Sequence, residues 1–197
     1  FLPCLLWSQK VIEKRWEDQN LSRIVITAKW ASEISFTGNN AFSGILIKYY
    51  SDGEYQNDIA PRFQIKSKTL YIDENYRPTF SEFNDKLGTH KFVSSKIEIM
   101  MNSEISLDLI AENCKISGTG KINSLKINLG SGYCRLYKWS SQGEIKTRDA
   151  DVFISSENIN IIGESKNGEV KLSKKKNLLN QFIKISSLNG NIIQNMD

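Results

Sequence analysis

The sequence predicts an all-β fold, a single-stranded right-handed parallel β-helix (β-solenoid) with an irregular N-terminal β region. Short apolar runs alternate with period two and end at Gly, Asn, Asp or Ser, which is the pattern of strands and turns. In the C-terminal half, an aliphatic–any–aliphatic triplet returns at near-constant spacing, and helical periodicity is nearly absent. A repeat step of about 18 to 22 residues is typical of stacked repeats.

The N-terminus differs in composition from the rest of the chain. Residues 1–9 are apolar, whereas residues 10–20 are strongly polar. Because an apolar run that stops at a small residue resembles the end of a secretory signal peptide, we expect residues 1–9 to be a signal-peptide remnant cleaved after Ser8. The alternative is a buried first strand, which Pro3 disfavours. The expected localisation is the periplasm, the outer-membrane surface or the extracellular space. No other stretch has the ~20 apolar residues that would cross a membrane.

The N-terminal β region, residues 10–101, is expected to contain several short strands. The residues Ile24, Ile26, Ala28 and Trp30 alternate with Arg23, Val25, Thr27 and Lys29, which is the period of two of a half-buried strand. Pro61 and Pro78 are expected between strands, and residues 71–91 form a long polar connection. The remaining strands of this region are expected at residues 34–36, 45–49, 63–65, 70–72 and 97–101.

Residues 102–197 carry the solenoid repeats, and residues 10–197 are expected to form one continuous domain. On an 18-residue step, the apolar positions of one copy align with those of the next, which favours a stack over an ordinary β-sandwich. Residues 175–182 offer one amphipathic turn, a loop or a short helix. The copies of the triplet begin at Leu107, Leu125, Ile145, Ile159 and Ile183, and the aligned pairs are Leu107, Leu109 and Ala111 with Leu125, Ile127 and Leu129.

Two cysteines remain after Cys4 is removed with the leader. Cys114 and Cys134 are twenty residues apart, so neighbouring strands of a stack could bring them within disulfide range. The 18-residue step, however, places Cys134 opposite Ile116. This register favours two buried free thiols over a disulfide.

Composition and motifs give no sign of catalysis or of a cofactor. The net charge of +4 is spread along the chain, and Lys174–Lys176 is too short a basic run to indicate nucleic acid. His90 is the single histidine, so no metal site with several histidines is expected. A catalytic Ser or Cys would need His90 as its general base, and no motif indicates such a pair. Residues 117–121 resemble a phosphate loop but lack its glycine and hydroxyl spacing. We therefore expect no enzyme, no cofactor and no metal.

Two groups of side chains are candidates for a ligand surface. Tyr133, Tyr137 and Trp139 fall in one repeat and could stack on sugar rings or on a protein; the alternative is an aromatic edge of the core. Asp149 and Asp151 form the best carboxylate cluster, with glycosidase chemistry or calcium binding as functional hypotheses and a polar turn as the structural one.

Several segments together resemble a known family. Residues 84–91 (Asn-Asp-Lys-Leu-Gly-Thr-His-Lys), residues 97–99 and the Gly-punctuated repeats that end at residues 187–192 resemble the putative-adhesin families of domains of unknown function, of the auto-transporter adhesin head type known from Bacteroidetes-like bacteria. The resemblance covers residues 11–192. It implies a β-solenoid at the cell envelope or outside the cell, without an established enzymatic activity, and it supplies no functional residues.

The sequence therefore predicts an exported, non-catalytic β-solenoid that serves as an adhesin or as a cell-envelope scaffold or binding protein. The expected partner is a protein or glycan at the cell surface. One alternative is a carbohydrate-binding or carbohydrate-degrading β-helix module, which requires Trp139 or Tyr137 to meet Asp149 or Asp151. Another is an assembly partner for envelope proteins, with an exposed strand edge near Ile192.

Overall fold

The described part of the chain is built from β-strands. The computed structural model describes residues 10–17, 20–53, 59–76, 93–156, 159–173 and 181–194. Within these ranges there are fifteen strands and no helix, so the all-β prediction is confirmed. None of the described residues belongs to a helix that could cross a membrane. The strands are β1 (Lys10–Trp16), β2 (Arg23–Ala28), β3 (Ala31–Gly38), β4 (Ile45–Gly53), β5 (Ile59–Lys66), β6 (Thr69–Tyr76), β7 (Val93–Met101), β8 (Ser106–Gly120), β9 (Leu125–Trp139), β10 (Gly143–Thr147), β11 (Asp151–Ser156), β12 (Asn160–Ser165), β13 (Val170–Lys171), β14 (Phe182–Ser187) and β15 (Ile192–Gln194).

Some predicted features lie outside the described residues. They are the signal-peptide remnant at residues 1–9, the segment at residues 84–91 with His90, the basic run at residues 174–176, and Pro78. These stay predictions. Of the expected loop or short helix at residues 175–182, the described part is Gln181 and Phe182, and Phe182 begins β14.

Two parallel ladders organise most of the sheet. The first runs in the order β6–β2–β8–β9–β10–β14–β12. The second runs β7–β3–β8–β9–β11–β15–β13. The long strands β8 and β9 each give their first half to one ladder and their second half to the other. We call one such passage of the chain through both ladders a rung.

The register follows the predicted 18-residue step where β8 meets β9. Leu107 pairs with Leu125, and Leu109 pairs with Ile127. All four side chains are buried. Because alternate residues of a strand share a face, these aliphatics form inward columns. Each fully buried Leu or Ile contributes about 1.5–3 kcal/mol of hydrophobic free energy.

The N-terminal part of the sheet includes antiparallel pairs, so the sheet as a whole is mixed. β1 pairs with β4, and β4 pairs with β7, both antiparallel. The hairpin β5–β6 is also antiparallel. Strand β1 was not predicted, because its charged outer residues hide its alternation. Ile12 and Trp16 nevertheless pack against the core.

Two expectations for this region are wrong. Pro61 does not lie between strands but within β5. It is tolerated there because β5 pairs on one side only, with β6, and proline is accepted in edge strands. Tyr71 does not begin a loop, since β6 continues to Tyr76.

The spatial order of the last rungs differs from their order along the chain. The rung β14/β15 lies between the rung β10/β11 and the rung β12/β13. Among the described strands, β12 and β13 therefore form the end of the stack, although β14 and β15 follow them in sequence. The predicted exposed edge near Ile192 is accordingly wrong. Ile192 is buried and pairs with both Val152 and Val170.

Candidate functional site

The outer face of β9 carries Tyr133, Arg135 and Tyr137. The residues between them, Cys134 and Leu136, are buried. This alternation follows from the pleat of the strand. Tyr137 is 52% exposed. The face is thus available to a ligand.

Trp139 does not join this face. Lys138 adopts a positive φ of 47°, and the pairing with β11 shifts register between Ile154 and Ser156. This bulge breaks the alternation that would have turned Trp139 outward. The indole is instead fully buried, packs edge-on to Phe36 with 5.8 Å between ring centroids, and donates from Nε1 to the Ser141 carbonyl oxygen at 2.7 Å.

Two aromatic rings lie near the guanidinium group of Arg135. Its Cζ is 5.4 Å from the Tyr133 ring centroid and 5.5 Å from that of Phe153. Phe153 is the register partner of Arg135 in β11. Each exposed cation–π contact of this kind contributes about 0.5–1 kcal/mol, so the two rings hold the guanidinium in place. We call Tyr133, Arg135, Tyr137 and Phe153 the aromatic–arginine face.

Sequence reasoning missed Phe153. The signal was present, because an 18-residue step from Arg135 leads to position 153. Phe153 is aromatic and faces outward beside Arg135. A column-by-column alignment would therefore have included it.

Asp149 lies in the turn between β10 and β11, as the polar-turn hypothesis expected, whereas Asp151 is the first residue of β11. Asp149 accepts from Arg148 Nε at 2.8 Å and from Asn189 Nδ2 at 2.5 Å. The hydrogen bonds from Arg148 and Asn189 lower the pKa of Asp149, and the bond from Arg148 is the larger cause. Asp151 accepts from the Asn191 backbone N–H at 2.7 Å. Both carboxylates thus bind the neighbouring turn.

These contacts continue along the corner of the stack. Asn189, which donates to Asp149, accepts from Asn167 Nδ2 at 2.7 Å. In the same way Asn191, whose backbone donates to Asp151, accepts from the Glu169 backbone N–H at 2.8 Å through its side chain. We call Asp149, Asn189 and Asn167 the turn ladder. In the turn ladder, the carboxylate of Asp149 connects neighbouring rungs through Asn189. The described contacts of this carboxylate include no aromatic ring.

The two described cysteines are free and buried. Cys134 pairs with Ile116, as the 18-residue step predicted. Burial raises the pKa of both thiols to about 12, and the charges of Glu74 and Glu33 add to the effect at Cys114. Both side chains are therefore neutral thiols at physiological pH and poor nucleophiles.

A buried carboxylate that the sequence analysis did not single out lies in the N-terminal core. Glu74 is 1% exposed. It accepts from Tyr49 Oη at 3.0 Å, from Ser95 Oγ, and from the backbone N–H groups of Trp30 at 2.7 Å and Ala31 at 3.2 Å. Glu74 continues the alternation of the buried residues Leu70 and Ile72, and this spacing could have indicated from the sequence that Glu74 points inward. Glu74 joins β6 to β4, β7 and the turn before β3, which is a structural role.

Metal ligands do not converge in the part of the chain that the structure describes. There, no group of three or more His, Cys, Asp or Glu side chains could hold an ion. The described residues therefore give no support to the calcium hypothesis for Asp149 and Asp151.

Comparison with known proteins shows the fold. No family model matches the sequence, and no curated protein matches it. The solved structure of a putative cell adhesion protein from Clostridium sporogenes ATCC 15579 is similar, with a TM-score of 0.67 and 16% identity, over 95% of this chain and 100% of that chain. At this identity the likeness is one of fold alone.

Two further solved structures align with lower similarity. One is a putative adhesin from Bacteroides fragilis NCTC 9343, with 10% identity and a TM-score of 0.36 over 96% of this chain and 98% of that chain. The other is a putative adhesin from Parabacteroides distasonis ATCC 8503, with 9% identity and a TM-score of 0.37 over 94% and 93%. At these TM-scores the alignments carry no argument about this chain.

Proposed function

We propose that this chain is an exported, non-catalytic binding protein of the adhesin kind, with the aromatic–arginine face as its ligand surface. The observation that carries the proposal is the exposed Tyr137 beside Arg135, whose guanidinium group lies near the rings of Tyr133 and Phe153. Tyr and Arg are the residue types that dominate binding energy at protein interfaces. Pre-ordering Arg135 reduces the entropy lost on binding.

The architecture in this proposal is a right-handed, single-stranded parallel β-helix over residues 102–197. The two parallel ladders and the 18-residue step between β8 and β9 support it. Such a stack offers a rigid outer surface, which suits contact with a protein or glycan at the cell surface. The name of the Clostridium sporogenes protein agrees with this role.

Export in this proposal leads to the periplasm, the outer-membrane surface or the extracellular space. The apolar residues 1–9 support it. Fractionation of cells that express the full gene, with sequencing of the mature N-terminus, tests it. A cytoplasmic product that retains Leu5 and Leu6 contradicts export.

We do not propose that the chain degrades carbohydrate with the aromatic and acidic residues that the sequence suggested. It required Trp139 or Tyr137 to meet Asp149 or Asp151. Trp139 is buried, and both carboxylates are engaged by neighbouring turns.

Binding to intact bacterial cells and to immobilised matrix proteins tests the ligand surface. We expect the full chain to bind, and the double variant Arg135→Ala/Tyr137→Ala to bind at least about tenfold more weakly, because loss of an interface hot spot costs about 2 kcal/mol or more. Tyr71→Ala is the matched control, since Tyr71 is also an exposed outer tyrosine, in β6. Equal binding by the double variant and the control would remove the aromatic–arginine face from the proposal.

A further inference from the structure

Residues that flank strand ends on one side of the stack line an open polar concavity. Its volume is about 690 Å³. Five side-chain amides contribute to its lining. The five amide residues are Asn40 after β3, Asn102 between β7 and β8, Asn123 between β8 and β9, Gln142 between β9 and β10, and Gln181 before β14.

Some of these amides have structural partners. Asn102 donates to the Phe42 carbonyl oxygen at 2.8 Å and accepts from the Glu104 backbone N–H at 2.9 Å. Asn123 donates to Ser106 Oγ at 3.0 Å. These contacts fix the floor of the concavity and orient its polar groups.

Other amides at the same place keep their hydrogen-bonding capacity. Within the described part of the chain, the side chains of Asn40, Gln142 and Gln181 make no hydrogen bond, and all three are exposed. Each amide offers two N–H donors and a carbonyl acceptor. Gln142 and Gln181 precede the paired strands β10 and β14, so these two free amides lie on neighbouring rungs, which are about 4.8 Å apart.

We propose that this concavity is a binding site for a neutral glycan. Sugar hydroxyls both donate and accept hydrogen bonds, and an array of amides and the Ser103 and Ser140 hydroxyls complements them. This inference rests on one part of the proposed function, namely that the chain is a binding protein. It uses none of the residues of the aromatic–arginine face.

Charge at the concavity favours a neutral ligand over an ion. The lining contains one carboxylate, Glu104, and one ammonium group, Lys121. A divalent cation takes several oxygen ligands with more than one carboxylate in most sites. An anionic polymer is held by clusters of Lys and Arg. Neither pattern is present in this lining.

The test uses the full chain and immobilised oligosaccharides of glucose, mannose, galactose and N-acetylglucosamine, with heparin as an anionic comparison. We expect retention on at least one neutral glycan and none on heparin. The double variant Gln142→Ala/Gln181→Ala should bind that glycan about tenfold more weakly, because each lost neutral hydrogen bond weakens binding by about two- to tenfold. Gln64→Ala, an exposed glutamine in the edge strand β5, is the matched control.

Three results would overturn the inference. They are absence of binding to all four neutral glycans, preference for heparin, and equal binding by the double variant and the control. Arg135→Ala/Tyr137→Ala separates the two proposals, since it should leave glycan retention unchanged. If the full chain binds cells but no neutral glycan, the glycan site fails while the proposed binding function stands.

Discussion

At the residue scale, Glu74 is the most consequential polar group of the core. Its carboxylate accepts hydrogen bonds from Tyr49, Ser95, Trp30 and Ala31. Removing this carboxylate leaves two backbone N–H groups and two hydroxyl groups without their acceptor in the core.

We therefore predict that Glu74→Ala lowers the free energy of unfolding by about 3–5 kcal/mol, because several buried donors lose their acceptor at about 1–3 kcal/mol each. Tyr49→Phe removes one donor and leaves the others, so it should cost about 1–2 kcal/mol. Urea denaturation followed by circular dichroism measures both. An Ala variant as stable as the native chain would contradict the network.

The buried thiols give a second prediction at this scale. Their pKa values of about 12 lie above the ordinary cysteine value. Above the ordinary cysteine pKa, the unfolded chain releases thiol protons that the folded chain keeps. The contribution of the two thiols to stability is therefore fully present below the pKa of the unfolded chain and is lost as pH rises toward 12.

At pH 8 we expect iodoacetamide to leave Cys114 and Cys134 unmodified in the native chain and to alkylate both in urea. Peptide mapping by mass spectrometry distinguishes these two sites from Cys4. Rapid alkylation of either site in the folded chain would refute the assigned burial.

At the element scale, the bulge at Lys138 decides which aromatic residues face solvent. Its φ of 47° is costly for a side chain with a Cβ, and most costly for a β-branched one. The Lys138 backbone N–H donates to Ser155 Oγ at 2.9 Å, which helps to hold the bulge.

We predict that Lys138→Gly changes stability by less than about 1 kcal/mol or increases it, whereas Lys138→Val decreases it by about 1–2 kcal/mol. Thermal denaturation and tryptophan fluorescence check this, since a lost bulge would expose Trp139 and shift its emission to the red. A blue emission and full stability in the Val variant would rule out a strained bulge.

Gly190 shows how closely the rungs approach at the turn ladder. A Cβ built there would lie 1.9 Å from the Ala150 carbonyl oxygen. Backbone cannot yield as a side chain does, so the neighbouring rung would have to move.

We expect Gly190→Ala to destabilise the chain by about 2–3 kcal/mol. Gly163→Ala is the control, because its Cβ would meet the side chains of Leu172 and Ile192 at 3.1 and 3.2 Å, and these side chains can shift. The prediction fails if both variants unfold at the same urea concentration.

At the scale of the whole molecule, stability should follow position in the stack. β9 has neighbours on both sides in both ladders, whereas β12 and β13 are end strands. Local opening is easiest where the fewest neighbours must be broken.

Native-state hydrogen exchange should therefore show backbone amides of β12 and β13 exchanging at least about tenfold faster than the amides of β9 that donate to neighbouring strands. Two-dimensional NMR after transfer to D₂O measures the rates. Equal protection in β13 and β15 would contradict the rung order, because β15 lies inside the stack.

Although strand β1 and the course of β5 and β6 escaped prediction, the sequence by itself determined the all-β class, the inward aliphatic columns and the 18-residue register of β8 and β9. Cys134 opposite Ile116 is an example, because alternation and repeat step are periodic properties that the sequence carries directly. Only the tertiary structure decided that Trp139 turns inward, that Glu74 accepts four hydrogen bonds, and that β14/β15 lies between β10/β11 and β12/β13. The bulge, the hydrogen-bond partners of Glu74 and the order of rungs depend on pairing between residues distant along the chain. Such pairing leaves no local pattern in the sequence, although the alternation of β6 does indicate that Glu74 points inward.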